Sequence, residues 1–522
     1  MNKDRLRSNR ADAEDQGNTT GELHNRLLKQ ARDAISAGEG AAACRLAGRL
    51  LRLFPRNAST RANAGGLLID AGGLLRKKRS IVRGIAMTES VLPHSPLDMQ
   101  GTLLYNAGNG YLALGQKEKG RSPGTRPSLA RAISCLDQAL ALNDTPEARV
   151  NLASALLAQG RFPEALDELN VALTAAPKHP VALHKRADTY RAIYHWLHPH
   201  RGYLEAAYTD VEAALRSGNL DAVQRRVFTE QRERLQAEVG DIQAIEIPAA
   251  PGSGLVRFYW EHGLSLNMCP LCQRETPDAY DMFVLPAFLQ APGRWPPLSE
   301  VLDAVNSLQQ RYVVARWCLA LALGVEPIAS HEEIPTLNAS ADASFSHEAG
   351  LLLLSVQALY GIFDQIAFTL NGYLRLGHDP RDANLRRIWR RRNDKNAKFP
   401  ESRRDIHPRL GGVSAPCLTA LYLLAASLYS AGGRYQRLRT LRNAVEHHGV
   451  VTVRGVHSVE GLLKKLDIEA VRTDALYLGR VCKAAVLYLG GALWKLEYDR
   501  LQGARRRGEA VAVGGEWPVR RT

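Results

Sequence analysis

The segment LRNAVEHHG contains three polar residues suited to cleaving a phosphodiester bond. Asn443 and His447 are i and i+4, so they lie on one face of a helix, and the long side chain of Arg442 can reach that face. Histidine moves a proton near neutral pH, arginine offers a planar fork to phosphate oxygens, and Asn443 would orient the scissile group or the histidine tautomer. A solvated helix face explains the same spacing, so both interpretations stay open.

The proposed chemistry predicts that no metal or cofactor is needed. If the 2′-hydroxyl of RNA is the nucleophile, the reaction is specific for RNA, and the sequence shows no clear acidic metal cluster. Cys269 and Cys272 form a CxxC pair with His262 upstream, but a structural zinc site normally requires four ligands and there is no second CxxC pair. We therefore favour a turn around Pro270, and metal binding is the alternative.

Four predicted helices would position these residues as a bundle. The first is capped by Ser346 and ends near Gly377, with apolar residues spaced 4-3-4 along one face. The second is predicted to begin at Ser414 and Pro416, and the third to run from about Tyr435 to His448. The fourth is predicted to run from Thr473 or Asp474 to about Arg500. Another helix is predicted around Leu298 to Leu323.

A basic segment between the first two of these helices is a candidate RNA-binding region. Its arginines include Arg386, Arg387, Arg390, Arg391 and Arg392. Neutralising phosphates with such residues would make binding sensitive to salt. Trp389, which lies among them, could stack on a base or anchor the core, and we favour the core. A charge run that is simply solvated is the alternative for the arginines.

The N-terminal half shows a repeat typical of paired helices. From Pro146 to Pro177 small residues, a glycine turn at Gly160 and a closing proline have the spacing of a tetratricopeptide unit. One similar unit follows it and another precedes it. The following unit is marked by Ala187, Tyr190, Ala207, Val211 and Ala214. The preceding unit is marked by Ala107, Gly108, Tyr111, Gly115, Ala132, Leu136 and Ala139. Stacked helix pairs bury stripes that no pair buries alone, and such solenoids bind proteins or peptides.

The motif Arg442-Asn443-xxx-His447 resembles the Arg–polar–xxx–His signature of the HEPN superfamily. FDQIAFTLNGYLRLG, LRRIW and QRYVVARW are similar to the bacterial branch that follows tetratricopeptide repeats, and the similarity extends over residues of about 255 to 505. The resemblance implies a metal-independent endoribonuclease that acts as a homodimer. It assigns His447 as acid and base, Arg442 as the phosphate contact, Asn443 as the positioning residue and Asp364 as the carboxylate that holds the arginine.

The resemblance also implies a biological setting. HEPN proteins are often toxins or phage-defence effectors restrained by an antitoxin, and some members only bind RNA, nucleotides or proteins. We therefore expect an endoribonuclease regulated through its repeats. The alternative is a non-catalytic regulator with a degenerate HEPN bundle.

Composition and charge are consistent with these expectations. The chain has 522 residues, a formal net charge of +15 and seven cysteines, which favours two or three domains, a polyanionic partner and a reducing compartment. The N-terminus lacks an apolar core and apolar stretches such as 417–429 fall short of a spanning helix, so we expect a cytoplasmic protein without a membrane partner.

The predicted architecture is all-α: a tetratricopeptide-type solenoid followed by a HEPN-like bundle. The predicted boundaries are a disordered N-terminus at 1–22, the solenoid at 23–247, a linker at 248–254, a helical connector at 255–345, the bundle at 346–504 and a basic disordered tail at 505–522.

Overall fold

The structure is a computed structural model. It describes residues 21–55, 57–118, 126–218, 220–245, 254–271, 281, 288–290, 298–327, 343–390, 416–429, 432–447, 450–453, 464–507 and 512–514. These residues are predominantly helical, with a few short strands, so the predicted all-α class is confirmed.

The chain divides into two compact units. The first comprises Met1–Arg121 and Arg126–Ala155, and the second comprises Ser122–Thr125 and Leu156–Thr522. Later repeat helices therefore share a unit with the C-terminal bundle, and residues 248–254 do not separate the units. Residues 246–253 lie outside the described residues. The predicted boundary between the repeat solenoid and the bundle, at residues 248–254, stays a prediction.

The first unit is built from consecutive helices. They are α1 (21–36), α2 (Gly40–Leu53), α3 (Ala58–Leu74), α4 (Lys78–Val91), α5 (Leu97–Lys117), α6 (Pro127–Leu142) and α7 (Pro146–Ala158), whose last three residues belong to the second unit. A 3₁₀ turn at Leu92–His94 follows α4.

Glycines allow α5 and α6 to pack closely, as the repeat pattern predicts. A Cβ atom on Gly108 would lie 2.6 Å from Cγ of Leu136, and one on Gly115 would lie 2.5 Å from Cδ2 of Leu129. Each distance is shorter than carbon–carbon contact, so a larger residue would force the helices apart.

The second unit begins with the remaining repeat helices. They are α8 (Phe162–Ala175), α9 (Pro180–Trp196), α10 (Arg201–Leu215) and α11 (Ala222–Val239). Gly160 precedes α8 with φ +78°, a left-handed conformation that favours glycine at the predicted turn. Ala187, Tyr190, Ala207 and Val211 are buried, as the repeat pattern predicts.

The C-terminal helices follow. They are α12 (Gly254–Glu261), α13 (Leu298–Ala322), α14 (His347–Tyr373), α15 (Pro416–Leu428), α16 (Gly433–His447) and α17 (Ile468–Arg506). Two small sheets accompany them: β1 (Phe288–Gln290) pairs antiparallel with β5 (Ala512–Gly514), and β3 (Val450–Val453) lies between antiparallel β2 (Ala343–Ser344) and parallel β4 (Lys464–Asp467). The sequence pattern did not predict these strands.

One hydrophobic core joins α13 to the four predicted helices. Leu308 and Tyr312 of α13 pack in the same cluster as Leu359 and Ile366 of α14 and Leu478 of α17, and all five are buried. Within the described residues this core also includes Phe258 of α12, so the segment predicted as a helical connector packs against the same interior as the bundle helices.

Helix ends differ from the predictions by a few residues for local reasons. Ser346 caps α14 as predicted, with its Oγ accepting from the N–H of Ala349 at 3.2 Å, but the helix ends at Tyr373 because Arg375 has φ +50°. Helix α17 begins earlier than predicted, since Asp467 Oδ2 accepts from the N–H of Ala470 at 3.0 Å. It ends at Arg506, so the predicted tail starts inside it, and residues 512–514 of that tail form β5.

The expectation that every apolar stretch is too short to span a membrane is wrong. Within the described residues, His347–Leu374 and Ile468–Arg500 are long and apolar enough to do so. The apolar window of the second is 89% buried inside the protein and that of the first is 50% buried. Core helices pass the same test, because burial requires the same apolar composition, and the absence of a membrane partner stays a prediction.

Candidate active site

A pocket of about 690 Å³ opens in the bundle beside the predicted motif. Helices α13 to α16 and residues 380–385 line it. Its charged lining residues are Arg311, Asp364, Arg381, Arg439 and Arg442. Four arginines against one aspartate give this pocket an excess of positive charge, which suits a phosphate-bearing ligand.

Arg442 enters the pocket from α16 and is half-buried. Its Nε lies 2.8 Å from Oε2 of Glu446, one turn further along the helix, and its guanidinium carbon lies 5.8 Å from the ring centroid of Tyr360. Burial works against its charge, but the hydrogen bond and charge of Glu446 and the charge of Asp364 raise the pKa of Arg442. The guanidinium is thus a fixed cation at the pocket wall.

Asp364 enters the same pocket from α14, where the resemblance places the carboxylate that holds the motif arginine. Partial desolvation raises the pKa of Asp364, and the positive charges of Arg442 and Arg311 oppose that rise. The ion pair that the structure records for Arg442 is with Glu446 instead. The role predicted for Asp364 stays a prediction, and the sequence reasoning missed Glu446 although its i, i+4 spacing from Arg442 was visible.

The other motif residues lie along α16. Asn443 is exposed next to Arg442, as the helical pattern predicts. His447 is the last residue of the helix, and its side chain lies outside the described residues, as does all of His448. The backbone therefore puts the histidine at the end of the helix that carries Arg442.

The basic segment is attached to the core through apolar residues. Leu385, Ile388 and Trp389 are buried, and Trp389 packs edge-on against Tyr422 with ring centroids 5.4 Å apart. Trp389 is therefore a core anchor, as favoured, and its 2% exposure excludes stacking on a base in this conformation.

The arginines of the basic segment differ in their surroundings. Arg386 and Arg387 are exposed; the first lies 5.1 Å above the ring of Tyr429 and the second pairs with Asp382. Arg390 is half-buried. Arg391 and Arg392 lie outside the described residues, and their predicted RNA-binding role stays a prediction.

Several pocket residues were missed by the sequence reasoning. Tyr429, Arg311 and Arg439 come from three different parts of the bundle, and Nη1 of Arg439 donates to the carbonyl of Tyr429 at 3.1 Å. Gly361 of α14 leaves space for the side chain of Arg311, because a Cβ atom at position 361 would lie 2.6 Å from Nη1 of Arg311. Burial raises the pKa of Tyr429, and the nearby arginines oppose the rise, so its ring stays a neutral wall of the pocket.

The CxxC pair is only half described. Cys269 is buried with its Sγ 3.9 Å from Nδ1 of His200, whereas Cys272 lies outside the described residues. No group of three histidine, cysteine or acidic residues that could hold a metal occurs in the part of the chain that the structure describes. Metal binding at Cys269 and Cys272 stays the alternative prediction.

The fold and pocket define a helical repeat protein with a basic bundle site, and comparisons identify both parts. The profile of the tetratricopeptide repeat family matches residues 128–180, and that of the LA2681-like HEPN family matches residues 297–494. No curated protein shows significant similarity to the chain. The chain therefore carries tetratricopeptide repeats followed by a C-terminal HEPN domain, as the resemblance predicts. The HEPN match includes Asp364, Arg442, Asn443 and His447, and a HEPN domain indicates a nuclease or another RNA-related role.

Proposed function

We propose that this protein is a metal-independent endoribonuclease of the toxin or phage-defence type, controlled through its repeats. The observation that carries the proposal is the shared pocket of Arg442 and Asp364, walled by three further arginines. A polyanion would be attracted to it, and Arg442 would contact the scissile phosphate.

In the proposed reaction the 2′-oxygen of the ribose attacks the adjacent phosphorus. His447 of one copy removes the 2′-hydroxyl proton or protonates the departing 5′-oxygen. His447 of the second copy carries out the other of these two proton transfers. The products are a 2′,3′-cyclic phosphate and a free 5′-hydroxyl, so bonds and protons balance. Arg442 stabilises the charge on the non-bridging phosphate oxygens, and Asn443 orients the chain.

A homodimer is part of the proposal. Leu354 and Phe368 on α14 are 57% and 54% exposed, and Phe368 also lines the pocket. We propose that a second copy packs along this side of α14 and covers Phe368 at the edge of the pocket. Pairing there would bring two pockets together in one cleft. A cytoplasmic location and a restraining antitoxin are proposed with it.

The test is cleavage of mixed RNA by the purified full-length protein in EDTA. We expect cleavage that is lost in His447→Ala and retained in His94→Ala, the control, because His94 is exposed and distant in sequence from the bundle. The products of cleavage should carry 2′,3′-cyclic phosphate. Equal cleavage by wild type and His447→Ala would contradict the site assignment. RNA binding without cleavage under any activating condition would favour the non-catalytic regulator.

A further inference from the structure

The repeat helix α8 carries three acidic residues on one face. Glu164, Asp167 and Glu168 are spaced by three and one, so they lie on one side of the helix, and all three are buried. A buried carboxylate needs a cationic partner, because desolvation without one is costly. The partners of this face come from helices of the bundle and from Arg161, which directly precedes α8.

The first contact group surrounds Glu164. Arg161, which is fully buried, forms a forked pair with Glu164, with distances of 2.8 Å from Nε and 2.5 Å from Nη2. Arg161 also donates from Nη1 to Ser427 Oγ of α15 at 2.8 Å. Glu164 in turn accepts from the hydroxyls of Tyr435 on α16 at 2.7 Å and Tyr488 on α17 at 2.9 Å.

Two more ion pairs extend the same contact. Arg434 of α16 donates to Glu168 at 2.8 Å and lies 4.3 Å above the ring of Tyr477 on α17. Lys483 of α17 donates to Asp167 at 2.7 Å. We call Arg161, Glu164, Asp167, Glu168, Arg434 and Lys483 the α8 ion network. Three positive and three negative charges balance, and each side chain is at most 10% exposed.

The α8 ion network holds the helix that carries the nuclease motif. Arg434 and Tyr435 lie in the first turn of α16, whereas Arg439 and Arg442 of the same helix line the pocket. From Arg434 to Arg442 the helix rises about 12 Å, at about 1.5 Å per residue. A helix transmits a displacement at one end to the other, so the position of Arg442 depends on the contacts of Arg434 and Tyr435.

A buried ion pair is weak evidence that the contact stabilises the fold. Apolar residues of similar volume are often as stable, whereas removing one partner leaves an unpaired charge that disrupts the site. A network that is balanced only when α8 and α16 are in register therefore fixes one relative position of the two helices. Exposed arginine–glutamate pairs have no such effect, because water replaces the missing partner.

We propose that α8, a helix of the tetratricopeptide match, positions the HEPN motif helix through the α8 ion network, with Glu164 and Glu168 as positioning residues. The expected change in RNA cleavage rests on the proposed function, whereas the expected change in hydrogen exchange does not. It supplies the route by which a change in the repeat helix would alter the site.

The test compares Glu168→Gln with Glu261→Gln in the full-length protein. The control breaks an exposed pair of the same chemistry, since Glu261 lies 2.7 Å from Arg257 on α12. We expect amide hydrogen exchange of α16 peptides to rise about tenfold in Glu168→Gln through local opening, and peptides of α13 to stay unchanged. The exchanged variant Glu168→Arg with Arg434→Glu should restore much of the protection.

The activity readout separates positioning from general damage. We expect Glu168→Gln to lower kcat about tenfold with KM changed less than about twofold, because positioning acts on the transition state. Should Glu168→Gln fail to fold, Arg434→Lys keeps the charge, loses the planar guanidinium that donates to Glu168 and is expected to give the same changes in smaller amount.

The outcomes are distinguishable. Faster α16 exchange in a protein whose wild type never cleaves RNA would support positioning and overturn the nuclease. Unchanged exchange and unchanged kcat in Glu168→Gln and Arg434→Lys would overturn the positioning role. An equal rise in Glu261→Gln would overturn it as well, since the effect would then be unspecific.

Discussion

Nε of Arg442 lies 2.8 Å from Oε2 of Glu446, one turn further along the motif helix. This contact holds the guanidinium from its inner nitrogen, on the helix that also lines the pocket with Arg439. Asp364 acts on the same guanidinium by charge from α14. Glu446 thus orients Arg442 at the pocket wall by direct contact, and the charge of Asp364 adds to the rise in the pKa of Arg442.

Replacing Arg442 by lysine should slow cleavage strongly while keeping the positive charge. We expect Arg442→Lys to lower the cleavage rate about 100-fold, because an ammonium cannot reproduce a planar fork on a developing phosphate charge. Single-turnover cleavage of a short RNA in EDTA measures the effect. Arg437→Lys is the matched control, since Arg437 lies on the same helix and pairs with Asp474. Equal rates for wild type and Arg442→Lys would contradict the role assigned to Arg442.

The exposed arginines of the basic segment should contribute to RNA affinity through charge. We expect Arg386→Gln with Arg387→Gln to reduce the slope of log affinity against log salt by about 1.4, because each phosphate that an arginine neutralises on single-stranded RNA adds about 0.7 to that slope. Binding of 2′-O-methyl RNA at several salt concentrations measures the slope. Arg225→Gln with Arg226→Gln removes the same charge from the exposed side of α11 and should leave it unchanged. An identical fall in both double variants would mean that net charge alone matters.

A histidine in the repeat region predicts a loss of stability in acid. Burial, with the nearby charge of His200, lowers the pKa of His198 to about 4 from its usual 6.5. The unfolded chain therefore takes up the proton first, so this contribution to stability is complete above pH 6.5 and is lost as the pH falls toward 4. The loss is at most about 3.5 kcal/mol, at about 1.4 kcal/mol for each unit of pKa.

Urea unfolding at pH 7, 6, 5 and 4.5 checks this prediction. His198→Gln should lose less stability than wild type over that range, and His94→Gln, which changes an exposed histidine, should follow wild type. Parallel curves for wild type and His198→Gln would show that His198 is not responsible.

The core role of Trp389 predicts a large loss of stability on truncation. Trp389→Ala should reduce the free energy of unfolding by about 3–5 kcal/mol, because it empties a site that is 2% exposed and removes the packing against Tyr422. Trp317→Ala, at a residue that is 46% exposed, should reduce it less than Trp389→Ala, because less apolar surface is lost from the interior. A small loss at Trp389 accompanied by weaker RNA binding would instead support base stacking.

Local patterns in the sequence were sufficient to predict most helices. Caps such as Ser346, turn glycines such as Gly160 and small residues such as Gly108 act on neighbours in the chain or on the next helix, and each was found where predicted. The errors are at ends decided by a single turn. Asp467 and Arg375 moved the boundaries of two helices, and such turns have weak sequence signals.

The sequence by itself determined the helical class, the repeat, and the placement of Arg442, Asn443 and His447 on one helix, because helical periodicity is local. Only the tertiary structure decided that Asp364, Arg311 and Tyr429 line one pocket with Arg442, and that α8 binds the start of the motif helix. Those contacts join residues from different helices that lie far apart in the chain. These contacts depend on how whole helices pack against each other, and the spacing of residues within one segment does not predict that packing.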